Sequence, residues 1–251
     1  MQKTLISIIG STGIGKTKLA IEMAKHFGTE IISCDSRQFF KEMKIGTATP
    51  TDEELAQAKH HFIGHLSVQD YYSIGQYEED ALEKIEEIFE KNDFAVLVGG
   101  SMMYEKAVVE GLNDLPEANA ENQEKLQKIL DEEGLEKLQE ILKNLDEEYY
   151  NVVHKENPRR LLRAIDVIWQ TGRKYSEIIA EPKHKRDFKV VRIGITAPRE
   201  IMYERINLRV DKMLEKGLID EVKSLTEYQK LVPLQTVGYT EIFKYLEGTW
   251  D

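Results

Sequence analysis

The chain has 251 residues, of which 41% are hydrophobic and 31% are charged, and its formal net charge is −11. These values are typical of a globular protein with one sizeable α/β domain, or with such a domain and a smaller one. The single cysteine, Cys34, excludes an internal disulfide and a cysteine-based zinc site. No apolar run approaches the roughly 20 residues that span a membrane. An apolar strand begins almost at once, so we expect no signal peptide and a cytoplasmic location.

The first predicted element is a buried strand, because residues 5–9 are mostly leucine and isoleucine. Residues 10–17 then read GSTGIGKT and match the phosphate-binding pattern G-x-x-x-x-G-K-[ST] in full. Helical spacing follows from Lys18. Glycines bring consecutive N–H groups close to phosphate oxygens, the helix adds a partial positive charge, and Lys16 adds a full one. The pattern predicts a phosphate-binding loop in which Thr17 holds Mg²⁺ or a phosphate oxygen.

Polar residues follow two further predicted strands. A short strand at residues 29–34 leads into Asp35-Ser36-Arg37-Gln38, and a buried strand at residues 94–98 leads into Gly99-Gly100-Ser101. Ligands of open parallel sheets bind at the carboxyl ends of the strands. Many phosphate-loop nucleotide hydrolases place an acidic residue that helps to hold Mg²⁺ after the second of these strands. No acidic residue follows Val98, which argues against an ordinary ATPase or GTPase.

The other elements before residue 111 alternate between helix and strand. The spacing predicts a short helix at residues 52–59 with Thr51 as its cap, and a brief strand at residues 60–66. Amphipathic helices are predicted at residues 75–91 and 102–110.

A purely helical pattern extends from residue 112 to about residue 180. Helices are predicted at residues 122–133, 135–143, 147–153 and 159–170. A β-branched run at residues 189–196 then predicts another strand of the first sheet, and helices follow it. This order predicts an α/β core at residues 1–111 and 190–251 with an all-helical insertion at residues 112–189.

Charge is distributed unevenly along the chain. Residues 110–148 contain 13 acidic and 4 basic side chains, whereas residues 154–192 contain 11 basic and 5 acidic ones. The acidic block predicts solvated helix faces, and the basic block is a candidate contact surface for nucleic acid.

Taken together, these segments resemble the tRNA dimethylallyltransferase family, which prenylates an adenosine beside the anticodon. The matching segments are GSTGIGKT at 10–17, DSRQ at 35–38, KIGTATP at 44–50, HHFIG at 60–64, YSIGQYEEDA at 72–81, LVGGSMMY at 97–104, HKENPRRLLRAIDV at 154–167, RINLRVDKMLEKGLIDEV at 205–222 and VGYTEIFKYLEG at 237–248. They cover nearly the whole chain and are specific as a set. The resemblance implies a P-loop NTPase-like parallel sheet flanked by helices, whose loop holds the diphosphate of dimethylallyl diphosphate instead of ATP. A prenyl donor in the loop would account for the missing acidic residue.

The resemblance also implies roles for individual residues. The donor diphosphate would be bound by Gly10, Ser11, Thr12, Gly13, Ile14, Gly15, Lys16, Thr17, Arg205 and Arg209. Catalysis would use Asp35 as the base for the N6 amine, with Lys16, Thr17 and Arg209 stabilising the leaving diphosphate. The anticodon stem-loop of tRNA would contact Asp35, Ser36, Arg37, Gln38 and Ser101 in the core and Arg159, Arg160, Leu161, Leu162 and Arg163 in the insertion, which would act as a clamp. The expected cofactor is Mg²⁺ with Thr17 as a ligand, and the expected enzyme is a monomer that contacts no membrane.

Other interpretations of the residues stay open. A phosphate-binding loop also suits a small-molecule kinase, and a prenyltransferase acting on free AMP would share the donor site. A third possibility is an RNA-binding module that has kept the loop without its activity. Asp35 could simply cap a turn, and the three arginines at residues 159–163 could form a solvated, ion-paired helix face.

Overall fold

The computed structural model describes residues 2–250, which divide into two compact units. The first unit contains the described residues up to Glu110 and from Lys185 onward, and the second is Gly111–His184. Residues 185–189, which the sequence places in the insertion, therefore belong to the first unit. Arg186 anchors them there, because its side chain donates to the carbonyl oxygens of Val108 at 2.8 Å and Ala107 at 2.7 Å and forms an ion pair with Glu78.

A five-stranded parallel sheet with the strand order β3-β2-β4-β1-β5 forms the centre of the first unit. The strands are β1 (Thr4–Gly10), β2 (Ile31–Ser33), β3 (His60–His61), β4 (Phe94–Val98) and β5 (Lys189–Ile195). Ile6 of β1 lies between Val96 of β4 and Val191 of β5 in the register of the sheet. The predicted α/β fold class and the return of the chain to the same sheet at β5 are confirmed.

The helices in the described part of the chain are α1 (Lys16–Phe27), α2 (Asp52–Leu55), α3 (Ile74–Lys91), α4 (Met102–Glu110), α5 (Ala120–Glu133), α6 (Leu135–Leu145), α7 (Glu147–Val152), α8 (Pro158–Thr171), α9 (Tyr175–Ala180), α10 (Arg199–Glu215), α11 (Leu218–Ser224) and α12 (Tyr239–Leu246), with 3₁₀ turns at Thr226–Tyr228 and Val232–Leu234. None of them is long and apolar enough to cross a membrane. Thr51 caps α2 as predicted, since its side chain accepts a hydrogen bond from the backbone N–H of Glu54.

The sheet separates two hydrophobic cores, because successive strand residues point to opposite faces. Leu5, Ala95 and Leu97 contribute to one core, whereas Ile8 and Val96 contribute to the other. All five are at most 1% exposed, which explains why β1 and β4 are nearly continuous apolar runs.

The predicted strand at residues 60–66 is wrong beyond its first two residues, because only His60 and His61 pair with β2. Phe62 and Gly64 then adopt positive φ angles of 61° and 57°, and this left-handed backbone cannot continue a strand.

The second unit is a helical bundle with its own core of leucine and isoleucine side chains. Helix α8 lies at its centre and is bounded by local signals that the sequence carries. Asn157 accepts a hydrogen bond from the N–H of Arg160, Pro158 occupies the first turn, and Gly172 ends the helix with a φ of 68°.

Candidate active site

A cavity of about 610 Å³ lies in the first unit at the carboxyl ends of β1, β2 and β4. The phosphate-binding loop forms one wall, and Asp35 and Gly100 line it from the ends of β2 and β4. Helix α10 and the segment at residues 44–51 complete the cavity. This is the edge at which ligands bind in open parallel sheets.

The loop between β1 and α1 has the backbone shape that its glycines predict. Gly13 and Gly15 adopt φ angles of 75° and 106°, which side chains with a Cβ rarely reach. Gly15 is the N-cap of α1 and supplies no side-chain acceptor, so the first N–H groups of the helix have no side-chain cap, and Gly15, Lys16 and Thr17 line the cavity. A helix start of this kind binds anions.

Lys16 lies in this loop and donates to the carbonyl oxygens of Gly10 and Ser11, each at 3.0 Å. These uncharged acceptors neutralise none of its charge. Burial lowers the pKa of Lys16, the negative charge of Asp35 opposes this shift, and the positive charge of Arg209 adds to it. The charges of these three side chains therefore interact within one cavity.

Asp35 follows β2 and shapes the turn after it, because its Oδ1 accepts a hydrogen bond from the N–H of Arg37 at 3.2 Å. Its carboxylate also lies close to the end of β4. A Cβ at Gly100 would lie 2.9 Å from Asp35 Oδ2, and a Cβ at Gly99 would lie 2.4 Å from the backbone carbon of Cys34. The Gly99-Gly100 pair thus makes room for Asp35 at the position where nucleotide hydrolases often carry an acidic residue.

Helix α10 places two arginines beside the phosphate-binding loop. Arg205 donates from Nη1 to the carbonyl oxygen of Ile14 at 3.1 Å, and Arg209 donates from Nη2 to the carbonyl oxygen of Thr47 at 3.1 Å. Burial lowers the pKa of the Arg209 guanidinium, and the charge of Asp35 partly opposes this shift. Both predicted arginines therefore lie at the cavity, with Arg209 the more buried of the two.

Ser36 and Ser101, which are far apart in the sequence, are in direct contact. The N–H of Ser36 donates to Ser101 Oγ at 3.0 Å, and the two hydroxyl oxygens are 2.8 Å apart. Arg37 donates from Nη1 to the carbonyl oxygen of Val232 at 3.1 Å, which directs its side chain toward the C-terminal part of the first unit. Gln38 lines the cavity and donates to the carbonyl oxygen of Thr47 at 3.2 Å.

Four lysines at the cavity were not predicted as site residues from the sequence. Lys18, Lys44, Lys212 and Lys216 line it together with the two arginines of α10. Spacing would have revealed two of them, because Lys212 and Lys216 follow Arg205 by seven and eleven residues and so share its helix face. A basic wall of this kind attracts polyanionic ligands.

The predicted RNA-contacting residues of α8 fall into separate groups. Arg159 and Arg160 are exposed, and their guanidinium groups form no ion pair with the rest of residues 2–250. Leu161 and Leu162 are 0% and 9% exposed and pack in the core of the helical unit. Their position on α8 directs both side chains into the bundle, so the predicted contact of residues 159–163 with RNA would use the neighbouring arginines and not these two side chains.

Arg163 is held inside its own unit. Its guanidinium donates from Nη1 to Asp166 Oδ2 at 3.3 Å and from Nη2 to the carbonyl oxygen of Pro116. Asp166 is fully buried and also accepts from Asn122 Nδ2 and Gln170 Nε2, each at 3.0 Å. The alternative prediction, in which the arginines at residues 159–163 form ion pairs on the helix, therefore holds for Arg163 but not for the exposed Arg159 and Arg160.

The described residues contain no group of three or more His, Cys, Asp or Glu side chains that could hold a metal on its own. Thr17 and Asp35 line the same cavity and offer oxygen atoms. Mg²⁺ commonly uses one or two protein oxygens together with substrate phosphates and water. These residues fit a metal that arrives with a phosphate ligand.

Comparisons with known proteins identify the family to which the chain is similar. The profile of the family described as IPP transferase matches residues 38–251. A tRNA dimethylallyltransferase of Christiangramia forsetii is 50% identical over all of this chain and 83% of its own length, and tRNA dimethylallyltransferase 1 of Bacteroides thetaiotaomicron is 45% identical over 99% of this chain and 80% of its own length.

Solved structures are similar as well. The full-length tRNA isopentenylpyrophosphate transferase of Bacillus halodurans has a TM-score of 0.67 and 33% identity, with 99% of this chain and 78% of that chain covered. A eukaryotic dimethylallyltransferase acting on tRNA has a TM-score of 0.83 and 27% identity, with 98% of this chain and 64% of that chain covered.

Proposed function

Since the chain belongs to the IPP transferase family, we propose that it transfers the dimethylallyl group of dimethylallyl diphosphate to N6 of adenosine 37 in tRNA and releases diphosphate. The observation that carries this proposal is the convergence of Lys16, Asp35 and Arg209 on one cavity that has no acidic residue after β4. A base beside a diphosphate-binding loop suits the transfer of a group to a nucleophile that loses a proton as it attacks, such as an amine. The family membership adds that the chain is a prenyltransferase that acts on tRNA.

The donor site is the phosphate-binding loop with the arginines of α10. Negative charge builds on the bridging oxygen as the allylic C1–O bond breaks, and that oxygen takes the electron pair. Lys16, Arg209 and the N–H groups at the start of α1 stabilise this charge, and preorganised donors of this kind commonly contribute 10²–10³-fold each. The allylic carbon tolerates positive charge, so it needs positioning and exclusion of water more than direct chemical help.

The acceptor amine needs a base, because the N6 lone pair of adenine is delocalised into the ring. As the new N6–C1 bond forms, Asp35 takes a proton from N6 and completes the balance of atoms and charge. Its position at the end of β2, facing Gly100 and the loop, supports this role. The same carboxylate also stabilises the turn, because its Oδ1 accepts a hydrogen bond from the N–H of Arg37. The stabilisation of the turn therefore does not prevent Asp35 from acting as the base.

Mg²⁺ is the proposed cofactor, with the Thr17 hydroxyl as its protein ligand and the donor diphosphate as the main source of oxygen atoms. When bound, it would neutralise part of the diphosphate charge. Lys16 and Arg209 contribute positive charge to the same anion from the protein side.

The RNA must present an unstacked adenine, and sequence-specific recognition of RNA commonly uses splayed bases of single-stranded loops. We assign the contacts with the target region to the linked Ser36 and Ser101 hydroxyls and to Arg37. The exposed Arg159 and Arg160 on α8 would contact backbone phosphates, so that the helical insertion clamps the anticodon stem-loop. These local positive charges matter because the whole chain carries a net charge of −11.

The test is a prenylation assay with dimethylallyl diphosphate, Mg²⁺ and an anticodon stem-loop that carries adenosine 37, read by mass spectrometry of the RNA. We expect a dimethylallyl adduct on that nucleoside and one diphosphate released per adduct. A stem-loop with guanosine at the same position serves as the control. Adduct formation on free AMP but not on RNA would favour an adenylate prenyltransferase, and ATP turnover with a metabolite but no allylic transfer would favour a kinase.

The variant Asp35→Asn tests the proposed base, because the amide keeps the shape of the side chain but does not accept a proton at neutral pH. We expect the rate of the chemical step to fall by about 10²–10⁴-fold, with unchanged binding of the donor. Prenylation at the wild-type rate would rule out Asp35 as the base and leave the donor site as assigned.

A further inference from the structure

We propose that Glu221 is a positioning residue that holds the segment at residues 44–50 and, through it, orients Arg209 in the cavity. The inference rests on the proposed function, in which Arg209 stabilises the leaving diphosphate. Glu221 lies on α11, outside the phosphate-binding loop and outside the residues that line the cavity.

Both carboxylate oxygens of Glu221 are occupied by donors. Oε2 accepts from the N–H of Ile45 at 2.7 Å, whereas Oε1 accepts from the N–H of Gly46 at 2.9 Å and from the hydroxyl of Tyr239 at 2.6 Å. A carboxylate is an acceptor at both oxygens, so it matches two adjacent backbone N–H groups. Glutamine would match only one of them and would turn its own NH₂ group toward the other.

The segment held by Glu221 has little freedom to take another shape. A Cβ at Gly46 would lie 2.5 Å from the ring of Tyr239, which is fully buried. Thr47 is also buried, and Ala48 has a φ of 46°, in the left-handed region that residues other than glycine rarely adopt. A backbone of this kind persists only where its surroundings hold it.

The segment transmits this restraint to the cavity through the Thr47 carbonyl. That oxygen is the acceptor for Arg209 Nη2 at 3.1 Å, and it also accepts from Gln38 Nε2 at 3.2 Å. Thr47 directly follows Gly46, whose N–H is bound by Glu221. Since arginine has many rotamers, a fixed acceptor selects the one that places its guanidinium beside the phosphate-binding loop.

A residue that only stabilised the fold would change the unfolding midpoint but would not be coupled energetically to Arg209. A residue that acts through Arg209 loses its effect when Arg209 is absent. A double-mutant cycle separates these two roles, because interacting positions show non-additive effects and independent positions show additive ones.

The experiment measures kcat and KM of the full chain for dimethylallyl diphosphate at saturating stem-loop RNA, for the wild type, Glu221→Gln, Arg209→Ala and the double variant. We expect kcat/KM to fall about tenfold in Glu221→Gln, comparable to one lost hydrogen bond to a charged group. Arg209→Ala should lower it about 100-fold. The double variant should resemble Arg209→Ala. In a second titration, with RNA varied at saturating donor, the KM for RNA should stay at the wild-type value in Glu221→Gln.

Asp220→Asn is the matched control, because Asp220 is an exposed acidic neighbour on the same helix and should keep wild-type kinetics. If Glu221→Gln does not fold, Tyr239→Phe removes one donor to the same carboxylate and keeps the ring. It should lower kcat/KM by a few-fold, again only when Arg209 is present. Wild-type kinetics in the folded Glu221 or Tyr239 variant, or a fall of about 1,000-fold in the double variant, would overturn the inference.

Calorimetric binding of inorganic diphosphate separates this inference from the proposed function. If the wild-type chain prenylated no RNA, the proposed function would fail. The double-mutant cycle could still be measured, with the affinities of the same four proteins for diphosphate in place of their kinetic constants. Weaker binding in Glu221→Gln that disappears in the Arg209→Ala background would support the positioning role. Equal affinity of the wild type and Glu221→Gln would refute it.

Discussion

Replacing Gly100 with alanine tests whether the exact place of the Asp35 carboxylate matters for the reaction. The new Cβ would lie 2.9 Å from Asp35 Oδ2, so the carboxylate must move by about 0.5 Å to reach ordinary contact at 3.4 Å. The backbone itself tolerates the change, because Gly100 is not among the positive-φ residues of the described chain. The perturbation is therefore a small displacement of one side chain.

The size of the expected effect follows from this displacement. A misplacement of about 1 Å at a reacting group can cost about 10²-fold in rate, so a shift half as large corresponds to about tenfold, or about 1.4 kcal/mol in activation free energy. We expect kcat to fall by that factor in single-turnover prenylation of the stem-loop RNA. Donor affinity should stay unchanged, because Gly100 lies next to the base and not next to the loop amides.

Two other glycines provide the comparison. A Cβ at Gly194 meets no atom within 4 Å, so Gly194→Ala should keep wild-type kinetics and stability. A Cβ at Gly99 would lie 2.4 Å from the backbone of Cys34, so Gly99→Ala should destabilise the fold and lower the unfolding midpoint. A wild-type kcat in Gly100→Ala, with the protein folded, would refute the assignment of Asp35 as a precisely placed base.

Three further predictions concern other parts of the chain. The double variant Arg159→Ala/Arg160→Ala should weaken RNA binding and reduce the slope of log affinity against log salt by about 1 to 2, whereas Arg173→Ala, whose partner is Glu181 on the surface, should not. Asp166→Ala should lower the free energy of unfolding by about 3 kcal/mol, because it leaves buried donors without their acceptor; urea denaturation measures this loss. Burial lowers the pKa of Lys16 below its ordinary 10.5, so kcat/KM for the donor should fall as pH rises through that lowered value, and Lys16→Met should abolish this alkaline limb of the profile.

Each of these has an outcome that contradicts it. An unchanged salt slope would remove the α8 arginines from the RNA interface, and an unchanged urea midpoint would show that the buried network around Asp166 contributes little. For Lys16 the sign is fixed by charge: the protonated ammonium binds diphosphate, so affinity that increased at alkaline pH would exclude Lys16 from the donor site.

The sequence by itself determined the features that depend on neighbouring residues. The phosphate-binding loop could be predicted because its glycine spacing, Lys16 and the flanking strand and helix are all local. The ends of α8 could also be predicted, since Pro158 favours a helix start and Gly172 favours a helix end at their own positions in the chain. Strands β1 and β4 were evident because burial on both faces produces unbroken apolar runs.

Only the tertiary structure decided which distant segments meet. The contact of Glu221 with Ile45 joins residues 176 positions apart, and the Ser36–Ser101 contact joins residues 65 positions apart. It also decided that Leu161 and Leu162 face a core. Spacing along a chain reports which residues share a face of one helix or strand. It carries no information on which other element packs against that face, because this depends on how all the elements bury their apolar surface together.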